Sequence, residues 1–165
     1  SYLRWVEVAN RDFESRLRWC VAGKYEDANH KPVIAIPGGL EKTVKSGETV
    51  TLNADITEPD SLDIDGIWAK YSALYEQLGF NKESFVEIAP QRYPKYNAYW
   101  WQYKEAGTYN GYIDIVAVDS GKSTFVAPKV DKPETLHLIL EVTDTGIPAL
   151  TTFARVIVTI FPTDK

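Results

Sequence analysis

Carboxylate side chains in two stretches of the chain have the chemistry of a calcium site. Glu58, Asp60, Asp63 and Asp65 lie within one short acidic stretch, and Asp144 lies in the turn "VTDTGIP". Hard cations such as Ca²⁺ prefer several oxygen ligands together. The spacing matches no EF-hand loop, so two interpretations stay open. In the first, a calcium ion is bound by Asp60, Asp63, Asp65 and Asp144. In the second, the stretch is a solvated acidic turn in which Asp60 or Asp65 caps the following helix.

Acid–base catalysis would have to use one of the two histidines, His30 and His137. In "TLHLILEV" the alternation places Leu136 and Leu138 on the core face and His137 on the opposite face. His30 lies in the linker "DANHKP", where a packing or capping role is expected. The sequence contains no Ser or Cys motif beside either histidine, no Gly-rich phosphate loop and no metal-spaced Cys/His set. It therefore predicts a chain without enzyme activity of its own.

The stretch "AYWWQYKEAGTYNGY", residues 98–112, is dense in aromatic rings. Side chains of a β-strand alternate between its two faces, so Trp100 points one way and Tyr99, Trp101 and Tyr103 point the other. One face must therefore meet something other than the core of the strand itself. A second layer, a neighbouring domain and a ligand are the three possibilities.

An amphipathic helix is predicted near the N-terminus. Asn10 is a plausible N-cap, and an apolar stripe then recurs at helical spacing up to Gly23. The stripe consists of Phe13, Leu17, Cys20 and Val21. Because Cys20 lies on this stripe, we expect a buried and inert thiol. A single cysteine also excludes an internal disulfide framework.

From residue 31 onward, short β-rich runs separated by turns predict a mainly β domain of about seven strands. The runs are "VIAI", "TVTLNAD", "YIDIVAV", "STFVA", "TLHLILEVTD" and "FARVIVTIF". Their spacing is typical of a β-sandwich. Between about residues 66 and 89 the hydrophobic periodicity becomes that of a helix, with an apolar stripe that contains Trp68, Tyr71, Leu74, Tyr75 and Leu78. We therefore predict a sandwich over residues 31–165 with a helical insertion, preceded by a helix and linker over residues 1–30.

Composition excludes several classes of partner. The chain has 165 residues, of which 44% are hydrophobic, and a net charge of −5. A negative charge without a dense basic patch argues against nucleic acid and against anionic membrane surfaces. No apolar run reaches the roughly 20 residues of a membrane span. The chain begins with Ser1 and lacks Met, so we expect a processed or excised piece.

Several segments, in order, resemble the C-terminal portion of a bacterial family of cellulose-binding proteins. They are "DFESRLRWCVAGKYEDANHKPV", "VKSGETVTLNA", "WWQYKEAGTY", "STFVAPK" and "LHLILEVTDTGIPALTTFARVIVTI". The resemblance implies an immunoglobulin- or cadherin-like sandwich that follows a nucleoside-hydrolase-like domain in a secreted or periplasmic protein. The span between residues 61 and 97 is longer than this family implies. The hydrolase machinery of such proteins belongs to the preceding domain.

The resemblance also implies that Trp100 is the central core tryptophan, which turns Tyr99, Trp101 and Tyr103 outward. Flat rings can stack on sugar faces. The predicted carbohydrate-binding residues are therefore Tyr99, Trp101, Tyr103, Tyr109 and Tyr112. The alternative is that the insertion, the N-terminal helix or the preceding domain covers these rings.

Two functions follow from these alternatives. One is a noncatalytic accessory domain that binds a cellulose-like polysaccharide. The other is a structural sandwich that docks on and stabilises a hydrolase-like domain. A docking domain should expose an apolar face on the helix from Phe13 to Val21, whereas a binding domain should keep exposed rings.

Overall fold

The computed structural model describes residues 3–60, 64–92 and 95–163. The helices are α1 (Leu3–Val21), α2 (Ile64–Gln77) and α3 (Lys82–Arg92), with a short 3-10 turn at Tyr25–Asp27. The strands are β1 (Val33–Ala35), β2 (Glu41–Lys45), β3 (Thr49–Asn53), β4 (Asp55–Thr57), β5 (Tyr96–Gln102), β6 (Val116–Ala117), β7 (Lys122–Val126), β8 (Glu134–Asp144) and β9 (Thr151–Phe161). None of the described helices is long and apolar enough to span a membrane.

Two sheets form the sandwich. One has four strands in the order β2-β9-β8-β5, in which β2 runs parallel to β9 and the other pairs are antiparallel. The other has three antiparallel strands in the order β3-β7-β6, and β1 and β4 form a separate two-stranded ribbon. The predicted mainly β, immunoglobulin- or cadherin-like sandwich is confirmed. Two predictions of strand extent differ, because "TVTLNAD" divides into β3 and β4 and "YIDIVAV" contributes only the short β6.

The core lies between the facing sides of the two sheets, as expected for strands that alternate inward and outward residues. On β8 every second residue from Leu136 to Val142 is at most 1% exposed, and Val156, Val158 and Ile160 of β9 are fully buried beside them. The facing sheet contributes Val50, Leu52 and Phe125. His137 is half-buried on the opposite side of β8, as the alternation predicted.

Trp100 is the aromatic anchor of this core. Its side chain is 7% exposed, and its Nε1 donates a hydrogen bond of 3.2 Å to the Gly121 carbonyl in the facing half of the sandwich. The partner satisfies the one polar group of the ring, which removes the cost of burying it unpaired. The prediction that Trp100 is a core residue is confirmed.

Helix α1 differs from the prediction in both length and orientation. It already runs from Leu3, so Asn10 lies inside the helix and is not its N-cap. The stripe predicted to be buried points outward, with Phe13 63% and Val21 84% exposed, and Cys20 is an exposed thiol. The expected burial of Cys20 is therefore wrong. The reason is that the other face of the helix carries two large tryptophan rings, Trp5 and Trp19, which bury more apolar area against the sandwich.

The inserted helices pack on each other. Tyr75 of α2 lies against Phe85 of α3 with ring centroids 4.7 Å apart, and Trp68 stacks on the same pair. Together with Ala89 these residues form a small cluster separate from the sandwich core. The other residues of the predicted stripe, Tyr71, Leu74 and Leu78, stay exposed. The helical insertion is confirmed as a hairpin with its own core.

Replacement of Trp100 by Ala should lower the free energy of unfolding by about 3–5 kcal/mol, because it removes a large ring from a close-packed core and leaves a cavity. Urea unfolding followed by circular dichroism measures this change. Tyr99→Ala, on the solvent side of the same strand, is the matched control and should cost much less. Equal midpoints for Trp100→Ala and the parent would contradict the assignment.

Candidate functional site

The outer side of β5 carries the predicted aromatic row. Tyr99 lies opposite Glu141 of β8, and Trp101 lies opposite Ile139. Since the inward positions of β8 are Leu138 and Leu140, this register turns Tyr99 and Trp101 away from the core. The outward direction predicted from alternation is confirmed for both residues.

Helix α1 covers part of this row. The Trp5 ring makes edge contacts with Phe153 of β9 at 5.1 Å and with Tyr103 at 6.3 Å, and it is tilted against Trp101 at 6.4 Å. The Arg4 guanidinium lies 4.5 Å from the centre of the Trp101 ring. Trp101 and Tyr103 are consequently half-buried. The sequence left three candidates for covering these rings: the insertion, the N-terminal helix and the preceding domain. In the structure, the N-terminal helix lies over them.

Glu141 holds two of the rings in place. Its carboxylate accepts a hydrogen bond of 3.2 Å from Trp101 Nε1 and a second one from the Tyr99 hydroxyl. Desolvation, followed by this hydrogen bond, raises the pKa of Tyr99 to about 12. Tyr99 therefore stays a neutral hydrogen-bond donor at physiological pH.

The remaining predicted carbohydrate-binding residues have different surroundings. Tyr99 is 54% exposed and Tyr112 is 84% exposed, with the Lys104 ammonium 3.7 Å from the centre of the Tyr112 ring. Tyr109 packs against the sandwich core. The open aromatic surface is therefore smaller than the sequence suggested, and sugar binding by these five residues stays a prediction.

At one end of the sandwich, Asn29 connects α1 to the loop after β8. Its carbonyl accepts hydrogen bonds from Trp19 Nε1 at 2.8 Å and Ser15 Oγ at 3.3 Å, and its side-chain amide donates to Asp144 at 2.9 Å. Asp144, which is 4% exposed, also accepts the backbone amides of Gly146 and Leu150. Asp144 thus acts as an internal hydrogen-bond acceptor that closes this turn.

Glu58 and Asp60 lie close enough to Asp144 to affect its charge. Burial, and then the negative charges of Asp144 and Asp60, raise the pKa of Glu58 above its usual value. Burial and the charge of Asp60 likewise raise the pKa of Asp144. Glu58 Oε2 is buried and has no hydrogen-bond partner among the described residues. The acidic loops are therefore brought together, as the sequence suggested, but at an electrostatic cost.

The calcium interpretation stays a hypothesis. Asp65 makes an ion pair of 2.7 Å with Lys82, Asp60 accepts hydrogen bonds from His30, and Asp63 lies outside the described residues. Within the described ranges, no group of three or more His, Cys, Asp or Glu side chains is arranged to hold a metal ion.

A stack of three rings beside this acidic end was missed by the sequence analysis. His30 lies between Trp19, at 5.6 Å and 13°, and Tyr25, at 3.5 Å and 6°. The predicted packing role of His30 is confirmed. The stack borders a cleft of about 1560 Å³ between the end of α1, the acidic loops and α2. Sequence periodicity does not reveal it, because its members come from a helix, a 3-10 turn and a linker.

Glu58→Gln should raise the melting temperature near neutral pH, and the gain should vanish at about pH 4. The folded-state pKa of Glu58 is raised, so the stability that protonation supplies is present below the ordinary glutamate pKa and is lost as the pH rises through the folded value. Glutamine keeps the acceptor for the Asp60 amide. Thermal unfolding of both proteins across this pH range measures the effect, with exposed Glu48→Gln as the control. A gain that did not depend on pH would contradict the electrostatic explanation.

Comparison with known proteins agrees with the resemblance seen in the sequence. Residues 94–160 match the family model described as "Cellulose-binding protein Sde0182, C-terminal domain". No curated protein matches the chain. A nucleoside hydrolase-related hypothetical protein from Saccharophagus degradans, described as associated with carbohydrate metabolism, has a similar structure, with a TM-score of 0.70 and 23% identity. That similarity covers 95% of this chain and 32% of the other, so the chain spans about a third of that protein's length.

Two more distant structures are also similar. The protocadherin GammaB4 extracellular domain has a TM-score of 0.40 at 16% identity, covering 82% of this chain and 17% of that one. The titin M3 domain has a TM-score of 0.38 at 11% identity, covering 79% of this chain and 96% of that one. The resemblance to the C-terminal domain of the cellulose-binding protein family is confirmed for residues 94–160.

Proposed function

We propose that the chain is a noncatalytic accessory domain that binds a cellulose-like polysaccharide within a larger secreted or periplasmic protein. The single observation that supports this function best is the match of residues 94–160 to a family named for cellulose binding. The matched segment contains the whole of β5 and its aromatic row. His30 fits a packing role better than a catalytic one, because it stacks between two rings and is hydrogen-bonded to Asp60.

Tyr99 is the centre of the proposed contact. Its ring is 54% exposed, and its hydroxyl is tied to Glu141, so little conformational freedom is lost when a sugar stacks on it. Trp101 and Tyr103 lie on the same outer side of the sheet, in contact with Trp5, and Tyr112 adds a second exposed ring. Stacking on ring faces needs no ion pair, so binding should depend little on salt.

Tyr99→Ala should weaken retention on insoluble cellulose by about 0.5–1.5 kcal/mol, the scale of one aromatic contact, and leave the fold intact. A depletion assay over a range of cellulose concentrations measures this, with a glycan panel for other polysaccharides. Val126→Ala, an exposed apolar residue of the other sheet, is the control and should bind like the parent. Failure of the parent to bind any polysaccharide would contradict the proposed function.

The outer face of α1 favours the second candidate function, docking on another domain. Leu3, Phe13, Leu17 and Val21 are 54–84% exposed, and such an apolar face is typical of an interface. The structurally similar protein continues for two-thirds of its length outside the match, so the proposed occupant is the remainder of a longer protein of that kind. The two functions are compatible, since β5 and the outer face of α1 are different surfaces.

Cys20 reports on this docking, because it is exposed beside the apolar face of α1. A thiol reagent should label it rapidly in the isolated domain and at least about tenfold more slowly in the longer protein, where the face is covered. Leu17→Asp should restore rapid labelling in the longer protein without changing the melting temperature of the isolated domain. Equal labelling rates in both forms would exclude α1 as the interface.

A further inference from the structure

The cleft at the acidic end of the sandwich contains an aromatic platform that is independent of the β5 row. Tyr25 lines this cleft and is 64% exposed, yet one face of its ring lies 3.5 Å from the His30 ring at an angle of 6°. An exposed tyrosine on a turn normally samples several rotamers. Here one ring face is occupied by the stack and the other stays open.

The stack beneath Tyr25 is anchored from two directions. The His30 ring accepts or donates a hydrogen bond of 3.0 Å to Asp60, and its backbone amide donates to the same carboxylate. Trp19, on the far side of His30, donates to the Asn29 carbonyl at 2.8 Å. The direction of the Tyr25 ring is therefore set by contacts to both α1 and the acidic loop, which lowers the entropy cost of stacking a ligand on it.

The other walls of the cleft indicate the class of ligand. Tyr71 of α2 presents a second, partly exposed ring, and the exposed carboxylates of Glu26 and Asp65 can accept hydroxyl donors. Six acidic and three basic residues line the cleft, a balance that disfavours phosphates and other anions. Ring faces for C–H groups and acceptors for hydroxyls together match an uncharged sugar ring.

We propose that this cleft is a second saccharide subsite, in which the open face of Tyr25 stacks on one sugar ring of an oligosaccharide. The inference rests on the proposed carbohydrate-binding function and locates a contact for it away from β5.

Titration calorimetry with cellohexaose tests the subsite. Tyr25→Ala should lower the affinity about 5- to 10-fold, the equivalent of one lost ring contact, whereas Tyr25→Phe should stay within about twofold of the parent. Tyr71→Ala, from the opposite wall, should produce a smaller loss. Val126→Ala, an exposed residue of the other sheet that lies outside the cleft and outside the β5 row, is the matched control and should leave cellohexaose affinity unchanged.

The outcomes separate this inference from the proposed function. Retention of the parent on cellulose without cellohexaose binding would overturn the subsite alone, as would equal cellohexaose affinities for Tyr25→Ala and the parent. If the parent bound neither cellulose nor cellohexaose, the subsite and the proposed function would be overturned together. If Tyr25→Ala lowered the melting temperature, the comparison of Tyr71→Ala with the parent would decide the question, and equal affinities there would overturn the subsite.

Discussion

The two-residue alternation of β5 beside β8 is the constraint on which the arrangement of this domain depends. Trp100 must lie between the sheets, where its ring fills the core and its indole N–H reaches the Gly121 carbonyl. Once Trp100 is inside, Tyr99 and Trp101 have to point outward, because neighbouring side chains of a strand face opposite ways. The aromatic outer surface is thus a direct consequence of how the core is built.

Helix α1 covers part of that aromatic surface. Its Trp5 covers Trp101 and Tyr103 at one end, and Asn29 ties the other end of the helix to the turn that Asp144 closes. Covering one set of rings leaves a different apolar face, that of Phe13 and Val21, in solvent. A single helix therefore links the two proposed functions: it limits the sugar-binding surface and presents a surface for a neighbouring domain.

The acidic loops at one end of the sandwich contain carboxylates that are well hydrogen-bonded and one that is buried at an energetic cost. Asp144 and Asp60 accept hydrogen bonds from Asn29, His30 and backbone amides, whereas Glu58 Oε2 is buried and has no hydrogen-bond partner in the part of the chain that the structure describes. Burial, and then the charges of Asp144 and Asp60, raise the pKa of Glu58. The Tyr25 ring borders the cleft beside these loops.

The sandwich, the inward face of β8 and the helical insertion could be predicted from the sequence, because each depends on local periodicity and on turn residues. The position of Trp100 in the core was implied by the family resemblance, since alternation alone places neighbouring rings on opposite faces without saying which face is buried. The prediction of which face of α1 is buried was wrong. Both faces of this helix carry apolar residues, so periodicity alone does not indicate the buried one. The contacts of Trp5 with Phe153 and of Trp19 with Asn29 turn these two rings toward the sandwich and leave Cys20 in solvent. The ring stack of Trp19, His30 and Tyr25 likewise depends on contacts between separate segments, which no local pattern encodes.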